Sequence, residues 1–152
     1  MAVSQAMRRL LRIREIEEEQ RHSALAAAFA DLKHLQAALD STVERERRGR
    51  SLVVASARTG EMVDRLAGIE ESRAAKHHAA VLAPRIREME AVVATRRNEL
   101  LGKRVERRQV ETLIAETEAA DAIETDRRMQ KNVDDWYLNR KRSRRKAKVS
   151  TR

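Results

Sequence analysis

The sequence predicts an all-α chain: a long antiparallel two-helix coiled-coil hairpin with a protruding C-terminal helix and a basic tail. Three observations predict it. Leu82, Ile86, Met89, Val93 and Leu100 follow one another at steps of four, three, four and seven, the narrow apolar stripe of a coiled-coil helix. Leu25, Ala28, Leu32, Leu35, Leu39 and Val43 repeat that spacing earlier in the chain and supply a partner stripe. Of the 152 residues, aromatics are 2%, Gly numbers 4 and Pro 1, while 38% are charged. A sheet protein of this size needs the turn residues and aromatics that are missing, whereas Ala, Glu, Lys, Leu and Arg at helical spacing suit long helices. So high a charge also suits disorder, but a sustained apolar seam argues against it.

The hairpin is expected over residues 1–140. Helix one runs from about 4 to 55. Met7, Leu10, Leu11, Ile13 and Ile16 give it an apolar start. The run from Glu15 to His22 interrupts the seam before Leu25 restarts it, and Gly49 weakens the helix by roughly 1 kcal/mol relative to Ala. The turn is expected at about 56–60, where Ser56, Thr59 and Gly60 follow the β-branched Val53 and Val54. Helix two then runs from about 61 to 138, its seam beginning at Met62, Leu66 and Ile69. Pro84 predicts a kink, because proline removes one backbone hydrogen bond and clashes with the preceding turn. Between Gly102 and Arg108 only Val105 is apolar, so loose packing is expected there. Reversal near Arg58 places residue i opposite about residue 115 − i, setting Leu32 near Ala83, Leu25 near Glu90 and Leu11 near Arg104. Past about Thr112 the second helix then has no partner and projects alone.

The basicity is local. Arg140, Lys141, Arg142, Arg144, Arg145, Lys146, Lys148 and Arg152 account for all but one of the net +9, so residues 141–152 read as a basic, disordered tail. Such a tail can meet phosphates, an acidic protein surface or anionic lipid. No aromatics are interleaved for base stacking, so specific nucleic-acid binding is not expected. Trp136 and Tyr137, the sole Trp and Tyr, sit on the projecting helix, and two large rings away from any core suggest a docking surface.

Catalytic signals are missing. Cys is 0, which excludes disulfides and thiolate chemistry, and there is no Gly-rich phosphate loop or nucleophile elbow. His22, His34, His77 and His78 read as solvated, with the adjacent pair pointing about 100° apart on a helix. Acid pairs such as Glu70–Glu71 and Asp134–Asp135 lack a pocket to tune them in a two-helix rod. A non-enzyme without cofactor or metal is therefore expected. The start of the chain has no uninterrupted apolar core and no run approaches a membrane span, so a cytoplasmic location is expected, with no membrane insertion.

The segment VERRQVETLIAETEAADAIETDRRMQKNVDDWYLNR, from Val105 to Arg140, resembles the end of the FliJ/YscO family, the stalk proteins of flagellar and virulence type III secretion export ATPases. The resemblance rests on a charged run, then the Glu111-Thr112-Leu113 element, then Arg127, Arg128 and Gln130 before the acidic pair Asp134 and Asp135. Chain length and the expected hairpin plan are similar too, and Trp136 after the acidic pair looks more like the non-flagellar branch. The resemblance implies a central stalk that enters a hexameric export ATPase, promotes its assembly and activity, and contacts the cytosolic domain of the export gate. Export chaperones are a further implied class of partner, and the implied location is peripheral to the inner-membrane export apparatus. It assigns ring contact to Met7, Leu10, Leu11, Glu111, Leu113, Arg127, Arg128, Gln130, Asp134, Asp135, Trp136 and Tyr137. It assigns gate contact at the hairpin tip to Leu39, Val43, Leu52, Met62 and Leu66. With one Phe and one Tyr, the chain departs from the aromatic gate contact typical of the family. The alternative from the residues themselves is a homodimeric coiled-coil scaffold with an electrostatic nucleic-acid-binding tail.

Overall fold

The structure, a computed structural model, describes residues 5–149, with side chains as far as Ser143. It is all-α: α1 spans Gln5–Thr59, α2 spans Met62–Val149, and the two pack as an antiparallel hairpin. The turn is tighter and later than the sequence suggests. Val53, Val54 and Ser56 do not end α1, because the Ser56 hydroxyl donates to its own helix at the Val53 carbonyl (2.8 Å) and the residue is buried. Gly60 ends it. Its φ of 77° is the left-handed conformation glycine adopts freely, and its N–H donates to the Ser56 carbonyl at 2.9 Å, closing the helix C-terminus. Glu61 starts α2, its carbonyl accepting the Arg65 N–H at 3.2 Å, and Asp64 complements the positive end of the helix dipole. At the far end α2 continues past the expected stop at Leu138 to Val149, through most of the segment read as a disordered tail. Ser150 to Arg152 and Met1 to Ser4 lie outside the described residues.

The chain forms two compact units, each drawing on both helices. In Ile16–Arg104 the seam is a heptad repeat. On α1 the inward residues are Leu25, Ala28, Leu32, Leu35, Leu39 and then Thr42, not Val43, which is 53% exposed. A step of three from Leu39 keeps the stripe facing α2, and a step of four rotates Val43 out of it. On α2, Leu82, Ile86, Met89, Val93 and Leu100 face inward as the spacing predicts, and Ala75, which apolar spacing does not pick out, is buried with them. Met62, Leu66 and Ile69 do not begin this seam. They point outward, because the repeat reaches back through Ser72 to Gly68. Pro84 lies on the exposed side and α2 runs on through it. The carbonyl it leaves without an amide partner belongs to Ala80, also exposed, where water can serve it.

The register also differs from expectation. Thr42 meets His78, Arg21 meets Glu99 and Glu17 meets Lys103, so residue i lies across from about residue 120 − i. Reversal at Gly60 rather than Arg58 accounts for most of that shift. It sets Leu32 opposite the neighbourhood of Met89 instead of Ala83, and Leu25 opposite that of Thr95 instead of Glu90.

Near the turn the two backbones touch. A Cβ added at Gly49 would lie 2.8 Å from the Gly68 carbonyl oxygen and 2.9 Å from the Ser72 nitrogen. One added at Gly68 would lie 2.6 Å from the Gly49 oxygen. Gly49 is therefore a contact residue rather than a weak point of α1.

The second unit joins Met1–Glu15 to Val105–Arg152. Met7, Leu11 and Arg14 on α1 and Ile114, Thr117 and Asp121 on α2 are half-buried, with Val110 buried among them. Val105 is instead 56% exposed, while Glu106 turns inward to pair with Arg14. Past Asp121 every side chain through Ser143 is exposed.

Candidate interaction surfaces

The residues assigned to ring contact fall into two groups, both within the second unit. Met7 and Leu11 are half-buried in the hairpin and Leu10 is exposed beside them. Glu111 pairs with Arg107 one turn away, and Leu113 is 52% exposed. Arg127, Arg128, Gln130, Asp134, Asp135, Trp136 and Tyr137 all lie on the exposed stretch of α2. There the stripe changes. Continuing the heptad from Val110 and Thr117 leads to Glu124, Lys131 and Leu138, of which only Leu138 is apolar, whereas Met129, Val133 and Trp136 share another face. The local pairs are intrahelical. Arg128 donates to the Glu124 carboxylate at 2.8 Å from Nη2 and 3.2 Å from Nε, and the Arg140 guanidinium sits 5.1 Å over the Trp136 ring. Trp136 is thus held on the helix surface by its neighbour one turn on and remains 59% exposed.

Where the sequence predicts loose packing, the first unit instead carries inter-helix ion pairs. Lys103 donates to Glu17 at 3.3 Å, Arg104 to Glu18 at 3.1 Å and Arg21 to Glu99 at 3.0 Å. Here charged side chains stand in for apolar ones along the seam, and opposite charges fix the pairing of the two helices. Closer to the turn, Arg45 donates to Glu71 at 2.7 Å. That hydrogen bond holds the Glu71 carboxyl below the ordinary carboxylate range and raises Arg45 further. Glu61 moves the other way. A hydrogen bond with the Asp64 side chain, and repulsion between the two carboxylates, favour its protonated form. His78 is exposed, as the sequence suggests, and its Nδ1 also lies 3.3 Å from the Thr42 hydroxyl, which itself donates to the Ala38 carbonyl at 2.8 Å.

The residues assigned to the hairpin tip do not form one cluster. Leu39 is half-buried in the seam, while Val43, Leu52, Met62 and Leu66 are exposed. A different surface lies beside them. Val53, Val54 and Ile69 floor a shallow groove of about 610 Å³ between the helices, edged by Arg50, Ser72, Arg73 and Lys76. It continues along α1 into a second hollow bounded by Arg47, Arg50 and Arg58. Sequence reading missed this face. The signal was the spacing of Arg47, Arg50, Val54 and Arg58 on one side of α1, and of Ile69, Arg73 and Lys76 on one side of α2.

Among the described residues, no three His, Asp or Glu side chains are grouped to hold a metal ion, and no helix is long and apolar enough to cross a membrane. Compared with protein-family models, curated proteins and solved structures, the chain matches none.

Proposed function

We propose that this chain is a non-enzymatic stalk or adaptor of a type III protein export apparatus, flagellar or virulence. In this reading the end carrying Met7, Leu10, Leu11 and the exposed stretch of α2 enters the hexameric export ATPase and promotes its assembly and activity. The turn end meets the cytosolic domain of the export gate. The protein acts in the cytoplasm, peripheral to the inner-membrane export apparatus.

The observation that carries the reading is the run of α2 from Ala122 to Ser143, exposed throughout and bearing Trp136 and Tyr137 on a helix that keeps going to Val149. A helix left without an apolar partner for so many turns is marginal in water by itself, and a surrounding protein wall supplies what it lacks. Anchors of Trp and Tyr type are the side chains most enriched at protein interfaces. The sequence resemblance to the FliJ/YscO stalks over Val105 to Arg140 overlaps this stretch from Ala122 onward.

The test is a pull-down of the purified export ATPase from the same organism by the tagged chain, repeated with α2 truncated after Asp121. Capture by the full chain and loss by the truncation support the stalk. Equal capture by both moves the contact elsewhere, and no capture by either removes the reading.

A further inference from the structure

Near the turn the usual arrangement of a coiled coil is inverted. Between the helices stand Gly49, Ser56, Gly68, Ser72 and Ala75, small enough for backbone to touch backbone. The larger apolar side chains stand outside: Val54 is 59% exposed, Leu66 57% and Ile69 40%. Beside this close approach a shallow groove runs between the two helices, lined by residues of both. The floor of that groove is apolar and its edges are cationic. No acidic residue lines either hollow, and the cations come from both helices.

We propose that this groove, floored by Val54 and Ile69 and edged by Arg50, Arg58, Arg73 and Lys76, binds an acidic amphipathic α-helix of a partner protein. A helix with an apolar stripe would cover Val54 and Ile69, and its flanking carboxylates would meet guanidinium groups on both sides. Charge complementarity selects an acidic occupant over a basic or neutral one. Concavity selects a helix over a flat lipid surface. Some of the cations already have acids nearby. Arg50 and Lys76 both approach Glu46, and Arg73 approaches Glu70 at 3.4 Å. Glu46 is 20% exposed, but the Arg50, Lys76 and Arg73 side chains are 66%, 60% and 75% exposed, so incoming carboxylates can reach the cations and extend these pairs. The inference stands on these residues alone and does not rest on the stalk reading. It can hold while ATPase stimulation fails, and the reverse.

The test uses the full chain and two synthetic helices of roughly 21 residues, three heptads. Both carry Leu at the stripe positions; one is flanked by Glu, the other by Lys. Vesicles of phosphatidylglycerol and phosphatidylcholine form a third arm. Fluorescence anisotropy should show the Glu-flanked peptide binding at least about tenfold more tightly than the Lys-flanked one, with affinity falling as salt rises. Arg73→Glu with Lys76→Glu should weaken the acidic peptide about tenfold or more and narrow its preference over the basic one. Val54→Ser with Ile69→Ser should weaken it comparably without altering any charge, and circular dichroism should report unchanged helicity, since both side chains face out. Equal affinity for the two peptides overturns the proposal, as does unchanged binding in both double variants. Binding confined to the anionic vesicles overturns it in favour of a lipid surface.

Discussion

At the scale of single residues, the glycines separate backbone freedom from packing. Replacing a helical glycine with alanine ordinarily stabilises a helix by about 0.5–1 kcal/mol. Gly102, with nothing within 4 Å of an added Cβ, should show that gain in urea unfolding. Gly49→Ala should do the opposite and cost about 1–3 kcal/mol, because its methyl meets the Gly68 carbonyl and the Ser72 backbone, which cannot move aside as a flexible side chain would. Equal gains at both positions would show that the helices are not in backbone contact near the turn. A second residue-scale prediction follows from Glu71. Its folded pKa is lowered by Arg45, so the stability it contributes is present above the ordinary carboxylate range and is lost as pH falls through the folded value. Glu61 opposes this, since a raised folded pKa favours the folded state on the acid side of its ordinary range and loses that advantage as pH rises through the folded value. Glu71→Gln should therefore flatten the acid-side fall of the melting temperature, and Glu61→Gln should steepen it. An acid limb that neither substitution moves contradicts these assignments.

At the scale of elements, the heptad seam made the fold legible. Leu82, Ile86, Val93 and Leu100 are all buried where their spacing put them. Where the structure departs from the expected seam, one cause accounts for it: part of the repeat is not apolar. The seam passes through Thr42, Gly49, Ser56, Gly68 and Ser72, and a hydrophobic pattern cannot see these residues. Apolar spacing alone therefore points to Val43, Met62 and Leu66, which face outward, and displaces the expected turn and register with them. Once Thr42 and Gly68 are placed on the repeat, the outward groove follows, which is why it too was invisible from apolar spacing. Two measurements test the corrected register. Leu82→Asp should lower stability by on the order of 3 kcal/mol, because it sets an unpaired charge at a buried position, whereas Val43→Asp should be nearly silent. Cysteines introduced at Ala28 and Val93 should cross-link under mild oxidation, and cysteines at Ala28 and Arg87, the pair demanded by reversal near Arg58, should not. Cross-linking only in the second pair contradicts the register set by the Thr42–His78 and Glu17–Lys103 contacts.

At the scale of the whole molecule, the central claim is that the exposed stretch of α2 is a binding element, with the basic end after Arg140 secondary to it. Trp136 shows the reason. It is 59% exposed, its one described ring contact is the Arg140 guanidinium, and its removal leaves no cavity in either unit. Trp136→Ala should therefore leave helicity and melting nearly unchanged while weakening partner binding. Deleting Ser143 to Arg152 removes exposed charge, whose effect is screened over about 10 Å or less at physiological salt and should fade as salt is raised. The measurement that tests this most directly is ATP hydrolysis by the purified export ATPase, titrated with the wild-type chain, Trp136→Ala and the tail deletion, with duplex DNA binding followed in parallel. The account predicts stimulation by the wild-type chain, a loss of about tenfold or more in potency for Trp136→Ala, a smaller and salt-sensitive loss for the deletion, and weak duplex binding. Absence of stimulation by the wild-type chain, together with tight duplex binding abolished by the deletion and untouched by Trp136→Ala, would contradict it.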